Sequence, residues 1–189
     1  MNVFYLHGDP VICARQHADR HVVKMILEYA QLLSTAHRVL DGLETKRISA
    51  GGRKGKVLRL PDAREAVLYK ATHVNHPSAR WVRHSVRNYR WLFRLWIALL
   101  KEYTHRYGKV HACARLADAL RKPPERIPAK EPFSAPWRVM PEEYKMSRST
   151  VDYTLKSYRS YYNGAKRSLF SWTNRRPPRW VVLKERNHE

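Results

Sequence analysis

Arginine recurs at three- and four-residue steps through the middle of this chain, a spacing that fits one face of an α-helix. The repeat, called here the arginine ladder, consists of Arg80, Arg83, Arg87, Arg90 and Arg94. Aromatic residues are interleaved with these arginines, and we expect most of their rings in the core, on the other faces of the same helix. The pattern predicts one long helix that begins between residues 75 and 78 and ends at Gly108.

The ladder belongs to a chain with a large excess of positive charge. The 189 residues include 37 Lys and Arg against 16 Asp and Glu, a formal net charge of +21. Five guanidinium groups on one face repel one another unless a polyanion lies across them, and the phosphate backbone of double-stranded DNA offers a matching linear array. A solvated face with counterions is the alternative interpretation. We expect a nucleic-acid-binding protein, with double-stranded DNA as the first candidate partner and RNA as the second.

The remaining periodicities predict a mainly α fold. Asp9 followed by Pro10 is a strong helix start, and helical periodicity continues to about residue 40. Shorter helices are expected over residues 110–120 and 149–170, the latter with Asp152 in a weak variant of a capping box. Hydrophobic residues make up 43% of the chain, enough for one sizeable core. We therefore expect a compact bundle of three to four helices.

Two irregular segments interrupt this bundle. Residues 41–64 form a basic insertion, either a loop or a short β-hairpin, whose cations would suit a phosphate clamp or simply a flexible surface insertion. These cations are Lys46, Arg47, Arg53, Lys54 and Lys56. Residues 123–141 are rich in proline and predict an extended strap across the bundle surface. The expected organisation is one DNA-binding and catalytic domain over residues 1–170, followed by a basic tail over residues 171–189.

Other features of the composition narrow the functional class. Cys13 and Cys113 lack the paired spacing of a disulfide framework or a metal site, which favours a reduced, intracellular protein. No apolar stretch is long enough to span a membrane, and the N-terminus lacks the pattern of a signal peptide. We expect a monomer without a cofactor, in the cytoplasm and associated with the nucleoid, or in the host cytoplasm if the protein is viral.

A stripe of polar residues, called here the polar seam, follows one face of the first predicted helix. Its members are His17, His21, Lys24, Glu28, Gln31, Thr35 and Arg38, and the flanking positions are largely apolar. A buried seam of this kind needs hydrogen bonds, ions or a ligand, so it predicts either a functional cleft or a structural network. His17 and His21 have the spacing of two metal ligands but lack the motif of a third ligand, and we expect no metal. His73 and His76 could add ligands in space, but a helix-entry role is equally plausible for His76.

Three segments resemble the pyrimidine dimer DNA glycosylases of the phage endonuclease V type, a small all-α family. Residues 18–21 and 28–31 (Ala-Asp-Arg-His and Glu-Tyr-Ala-Gln) are similar to the family's Ala-Asp-X-His and Glu-Tyr-Arg-Glu segments. Residues 99–108 resemble the end of its second long helix. Residues 158–166 resemble the aromatic, lysine-containing segment that the family uses at the damaged site, and they contribute Tyr158, Arg159, Tyr161, Tyr162 and Lys166.

The resemblance implies a glycosylase with an associated AP-lyase activity that excises damaged pyrimidines. In the family, an α-amino group attacks the sugar and the last residue of Glu-Tyr-Arg-Glu is the catalytic carboxylate. Gln31 stands at that position and cannot ionise, so Glu28 is expected to replace it. Asn2 is too large for efficient removal of Met1, which places the α-amine on Met1, with Lys24 as a rival nucleophile.

The resemblance also implies contacts to DNA. His17, His21 and Arg38 are expected to touch phosphate or developing charge. The tyrosines Tyr161 and Tyr162 are expected either to wedge into the base stack or to pack in the core. Two other classes of function remain as alternatives: a non-catalytic nucleic-acid-binding protein on the same fold, and a transferase that modifies DNA bases.

Overall fold

The computed structural model describes residues 1–48 and 54–183, and this part of the chain is mainly α-helical. It contains seven α-helices and one two-stranded antiparallel sheet. The helices are α1 (Pro10–Gln16), α2 (Asp19–Asp41), α3 (Arg64–Val67), α4 (Pro77–His84), α5 (Val86–Tyr107), α6 (Ala117–Arg121) and α7 (Tyr153–Asn163). The strands are β1 (Leu43–Ile48) and β2 (Lys54–Arg59). The expectation of three to four helices was wrong in number, partly because both long predicted helices are broken.

The first break separates α1 from α2. Asp9 caps α1 as predicted, since its carboxylate accepts hydrogen bonds from the amides of Val11 and Ile12. The His17 amide still donates to the Ala14 carbonyl, but the two amides that follow bond elsewhere: Ala18 donates to the Tyr162 hydroxyl, and Asp19 donates to the Ser171 carbonyl. The C-terminal part of the chain therefore replaces the intrahelical bonds, and His17 lies outside α2.

The second break divides the arginine ladder. Ser85 is buried in an extended conformation and caps α5 through a hydrogen bond from the Asn88 amide to its hydroxyl. The Val86 amide donates to the Pro128 carbonyl of the strap, so a contact that is distant in sequence takes the place of a helical bond. Arg80 and Arg83 consequently belong to α4, and the prediction of one continuous helix was wrong. Its end was right, because Gly108 terminates α5 in a left-handed conformation with φ of 65°.

The core lies where α1, α2 and α4 pack around α5. Its largest buried side chains are aromatic, and Trp96 also donates its indole N–H to the Ile26 carbonyl of α2. Full burial of one large apolar side chain contributes about 1.5–3 kcal/mol. Not every apolar position of α2 joins this core, because Val23 and Leu27 are exposed.

The basic insertion forms a β-hairpin in which Leu43 pairs with Arg59 and Lys46 pairs with Lys56. Helix α2 ends at Asp41, close to the predicted end near residue 40. The residue after it is glycine because a Cβ at this position would lie 2.3 Å from the Arg38 carbonyl oxygen. Lys46 and Lys56 are exposed, and Lys56 pairs with Glu44 at 2.8 Å. The side chains of Arg47 and Lys54, and the whole of Arg53, lie outside the described residues.

The last helix differs from its prediction at both ends. It begins at Tyr153 and ends at Asn163, whereas the sequence predicts residues 149–170. Asp152 precedes it in a left-handed conformation with φ of 56° and makes no side-chain capping bond, so the predicted capping box is absent from this helix. The strap and residues 171–183 follow irregular paths, and the expected short helix over 110–120 is a 3₁₀ turn followed by α6.

A cluster of charged groups, called here the Arg106 cluster, ties the C-terminal segment to this core. The Arg106 guanidinium is buried and donates to Asp19 at 2.9 Å and to Glu102 at 3.2 Å. The Arg175 guanidinium donates to the Oε1 atom of Glu102 at 2.7 Å, and the Thr173 hydroxyl donates to Asp19. Burial alone would raise the pKa of both carboxyls, but the hydrogen bonds and the arginine charges lower the pKa of Asp19 and of Glu102 below the usual values.

Candidate functional site

The structure brings the first residue of the chain to the middle of the polar seam. The α-amino nitrogen of Met1 lies 3.7 Å from one carboxylate oxygen of Glu28, and the Lys24 amine lies 3.5 Å from the other. The side chain of Lys24 is 66% exposed, whereas that of Glu28 is 17% exposed. We call these three residues the amine site; it places two amines, both predicted nucleophiles, on one partly buried carboxylate.

Packing and hydrogen bonds hold the N-terminal segment against α2 and α4. Val3 and Phe4 are buried, and the Phe4 amide donates to the Tyr29 hydroxyl at 3.1 Å. The Ser78 hydroxyl donates to the Met1 carbonyl at 3.1 Å, next to the start of α4. The position of the amine is therefore set by hydrogen bonds between the backbone of the N-terminal segment and side chains of α2 and α4.

His76 stands beside the amine site, and the sequence indicates for it only a helix-entry role or a place in a metal site. It does cap α4, because its Nδ1 accepts a hydrogen bond from the Ser78 amide at 3.1 Å. Partial burial, the N-terminal ammonium and His73 lower the pKa of His76. Ser78, whose amide His76 caps, also donates its hydroxyl to the Met1 carbonyl, so the cap lies close to the amine site, which a helix-start pattern does not reveal.

An aromatic wall lies at the N-terminal end of α2. The ring of Phe4 stacks on His21 with centroids 4.5 Å apart, and the His21 Nδ1 lies 2.7 Å from the Tyr162 hydroxyl. Tyr161 lies parallel to Phe4 at 6.2 Å, and the Lys166 amine sits 4.8 Å from the Tyr161 ring. Burial, with contributions from His17, Lys166 and Lys24, lowers the pKa of His21 to about 3. His21 is therefore a neutral wall residue at physiological pH.

The two ends of the polar seam are structural. Arg38 directs its guanidinium to the carbonyls of Leu58, Leu68 and Tyr69 and to Glu65, and only 2% of the residue is exposed. The Thr35 hydroxyl exchanges hydrogen bonds with the Thr72 backbone. Arg38 offers no group to a phosphate in this structure, contrary to its predicted contact with DNA, because all its donors face the protein.

His17 is likewise withdrawn from solvent. It is fully buried, and its Nδ1 bonds to the Cys13 carbonyl at 2.8 Å. Burial lowers the pKa of His17 to about 4. Its predicted contact with DNA therefore does not fit its position. Of the two histidines with the spacing of metal ligands, His17 has protein partners for both ring nitrogens and His21 has one for its Nδ1. Gln31 lies half-buried one turn beyond Glu28 on the same helix.

The tyrosines of residues 158–166 divide into buried and accessible members. Tyr158 and Tyr162 are fully buried, and the Tyr158 hydroxyl donates to the Trp137 carbonyl at 2.7 Å. For Tyr162 this burial agrees with the prediction of a core residue and not with that of a wedge. Tyr161 is partly exposed, and Arg159 is half-buried with its guanidinium on the Leu6 carbonyl. Tyr161 and Lys166 are the members of this segment best placed to meet a ligand.

The arginine ladder remains on the surface although two helices carry it. Arg87, Arg90 and Arg94 are exposed on α5, and Arg80 is exposed on α4. Arg83 is half-buried and donates to the Val74 carbonyl at 2.7 Å; its burial and the charge of Arg80 lower its pKa below the usual value. Four members of the ladder are therefore open to an anion, and the fifth is partly engaged by the protein.

Other chemistries find less support in the described ranges. No three His, Cys, Asp or Glu side chains gather there in a way that could hold a metal ion. None of the helices in these ranges has the length and apolar character needed to cross a membrane. Cys13 and Cys113 are buried free thiols, and burial raises the pKa of Cys13 to about 12, which disfavours a reactive thiolate.

Comparisons with known proteins gave no match. The sequence matches no protein-family model, no curated protein and no solved structure. The function is therefore inferred from the geometry of the amine site and from the surface charge.

Proposed function

We propose that this protein is a DNA glycosylase with associated AP-lyase activity that uses an amine as its nucleophile. The single observation that carries the proposal is the amine site, where the Met1 nitrogen lies 3.7 Å from the Glu28 carboxylate. An amine held against a partly buried carboxylate has a proton acceptor at hand, which is what a nitrogen nucleophile needs. An α-amine is also less basic than a lysine side chain, so a larger fraction of it is neutral near neutral pH.

The proposed reaction assigns one role to each group. The neutral Met1 nitrogen forms a bond to C1′ of the sugar, the bond from C1′ to the base breaks, and the base leaves with the electron pair. Glu28 accepts a proton from the attacking nitrogen and stabilises the positive charge that develops there. Opening of the sugar ring gives an imine between nitrogen and C1′, and removal of a proton from C2′ then expels the 3′ phosphate. This second step is the lyase activity.

The surroundings of the amine site favour a substrate in DNA. The net charge of +21 and the exposed arginines of α4 and α5 match a polyanionic backbone. Enzymes that act on a base in a duplex must unstack it, and the partly exposed Tyr161 can stack on an extruded base or fill its place. Lys166 lies above Tyr161, where its charge suits a neighbouring phosphate.

Trapping with borohydride tests the proposal. The protein is mixed with ultraviolet-irradiated and untreated duplex oligonucleotides, because reduction converts an imine into a stable covalent adduct. A covalent band with irradiated DNA alone supports an amine-based glycosylase, and peptide mapping of the adduct then decides between Met1 and Lys24. A Lys24→Ala variant that still traps assigns the reaction to the α-amine.

Gln31 favours a second candidate function, a DNA-binding protein without catalysis. An amide stands where the resembling family has its carboxylate, and an amide accepts no proton under these conditions. A non-catalytic protein should bind irradiated and untreated duplexes equally tightly and give no covalent band with either. That result would overturn the proposal of an enzyme.

A further inference from the structure

A concave surface lies apart from the amine site, between the Pro-rich strap and the start of α7. We call it the strap pocket. It encloses a cavity of about 260 Å³, and its main lining residues are Pro136, Trp137, Arg138, Lys145, Arg148 and Tyr153. None of these residues touches Met1, Lys24 or Glu28 through an ion pair or a hydrogen bond in the described part of the chain. The strap pocket therefore calls for its own explanation.

Hydrogen bonds to the helical core fix the strap at this point. The backbone of Ser134 accepts from the Trp81 indole at 3.0 Å and donates to the Asn88 side chain at 3.0 Å. The Trp137 carbonyl accepts from Tyr158, a fully buried residue of α7. The wall of the strap pocket is thus formed before any ligand arrives, which lowers the entropic cost of binding.

The indole of Trp137 differs from the other tryptophans of the chain. Five of the six indole N–H groups donate to acceptors within the protein, those of Trp81, Trp91, Trp96, Trp172 and Trp180. Trp137 has no such acceptor among residues 1–48 and 54–183, and it is 40% exposed. A tryptophan at the rim of a pocket with a free N–H is a ready donor to an anionic ligand.

The charges around the strap pocket have one sign. Arg148 is exposed, and the Arg138 guanidinium lies 4.8 Å from the Tyr153 ring while it donates to the Met146 carbonyl. Lys145 is the one lining cation with a carboxylate partner in the described ranges, the exposed Glu142. No carboxylate belongs to the lining. The strap pocket therefore offers several N–H donors and an excess of positive charge to an anion.

Arg80 connects the strap pocket to the arginine ladder. Its guanidinium lies over the Trp137 ring, 5.9 Å from the centroid, on the exposed side of α4. A strand that follows the ladder from Arg94 towards Arg80 is thereby led to Trp137. Phosphate groups prefer sites with several convergent N–H donors, and a neighbouring aromatic face can stack on a sugar or a base.

We propose that the strap pocket binds a backbone phosphate of the nucleic-acid strand that crosses the arginine ladder. This inference rests on the nucleic-acid binding of the proposed function, but not on its chemistry. The Pro-rich strap is then part of the binding surface, in which Arg148, Arg138 and the Trp137 N–H contact the phosphate.

Charge reversal tests the proposal with a matched control. Arg148→Glu and Lys109→Glu each change the net charge by the same amount at an exposed position, and Lys109 lies outside the strap pocket. We expect Arg148→Glu to weaken binding to a fluorescent 20-base-pair duplex about three- to tenfold more than the control, and to reduce the slope of log K against log salt by about one. Equal effects of the two variants would overturn the proposal.

A second measurement avoids any dependence on net charge. In ¹⁵N-labelled protein the Trp137 indole signal is identified by its loss in Trp137→Phe, and the same duplex is then titrated into the wild type. The Trp137 signal should shift while those of the buried Trp81 and Trp96 stay in place. An unmoved Trp137 signal at saturating duplex contradicts the phosphate contact.

The outcomes separate this inference from the proposed function. Covalent trapping together with an inert Arg148→Glu would leave the glycosylase proposal standing and remove the strap pocket from the interface. A position-specific loss of binding without any trapping would keep the strap pocket and remove the chemistry.

Discussion

The Arg106 cluster and the amine site each join acidic and basic groups, but they differ in how completely the protein satisfies them. Arg106 is buried, and two carboxylates and two backbone carbonyls accept its hydrogen bonds. At the amine site, by contrast, Glu28 meets two amines at 3.5–3.7 Å, and Lys24 reaches into solvent. Closed networks of the first kind hold segments together, whereas open ones of the second kind leave groups free for a ligand.

The largest effect expected from this contrast is on activity. Glu28→Gln keeps the shape of the side chain but removes the proton acceptor, so borohydride trapping and turnover should fall by about 10²–10⁴-fold. The free energy of unfolding should change by less than about 1 kcal/mol, because ion pairs to partly exposed partners contribute little. Denaturant titration and trapping on the same preparations measure both quantities. A fully active variant removes Glu28 from the mechanism.

Glu102→Gln in the Arg106 cluster should show the opposite pattern. The change leaves the buried Arg106 charge with Asp19 as its one remaining carboxylate, a loss of about 3–5 kcal/mol in the free energy of unfolding. The folded fraction should trap DNA as the wild type does, since Glu102 takes no part in the amine site. Unchanged stability would show that the cluster does not hold the C-terminal segment.

Acidification should weaken the fold at both clusters, because His17 adjoins the Arg106 cluster and His21 adjoins the amine site. In the unfolded chain both rings gain a proton near pH 6.5. In the folded chain burial lowers their pKa to about 4 and about 3, so the unfolded state binds more protons between these values. Stability is then complete above pH 6.5 and falls by about 2 kcal/mol per histidine down to pH 5.

Urea unfolding at pH 7 and pH 5 measures this loss. His17→Asn and His21→Asn should each lose less stability between the two pH values than the wild type does, by about 2 kcal/mol. The exposed His105→Asn is the matched control and should follow the wild type. Identical pH dependence in all four proteins would contradict the proposed burial of neutral imidazoles.

Local signals allowed the sequence to predict several helix ends, although not those of α7, and they predicted neither helix break. Asp9 with Pro10 begins a helix and Gly108 ends one, because each effect depends on a few neighbouring residues. The breaks at Ala18 and Val86 arise where a distant hydroxyl or carbonyl takes a backbone amide, and no periodicity announces such a partner. The hydrophobic pattern continues across both breaks, so it predicts longer helices than the chain forms.

The sequence also predicts the part of the candidate site that depends on local spacing. Lys24 and Glu28 stand one turn apart on a helix, and their contact follows from that spacing. Whether a seam residue faces solvent depends on what packs over it, and the Tyr69 and Leu68 carbonyls that enclose Arg38 come from an irregular segment. His76 was missed as a neighbour of the amine because its capping role is a local property and its nearness to Met1 is a tertiary one.

The segment around Thr173 supplies hydrogen-bond partners that the first helices acquire only late in synthesis. Asp19 and Glu102 receive their last partners from residues 173 and 175, and His21 receives the Tyr162 hydroxyl. A ribosome must therefore release the chain beyond residue 175 before the first helices acquire all these contacts, and closing such long loops slows folding. Until then Asp19 and Glu102 lack the partners that Thr173 and Arg175 supply, so a chain that terminates before residue 173 should be less stable and more open to proteolysis.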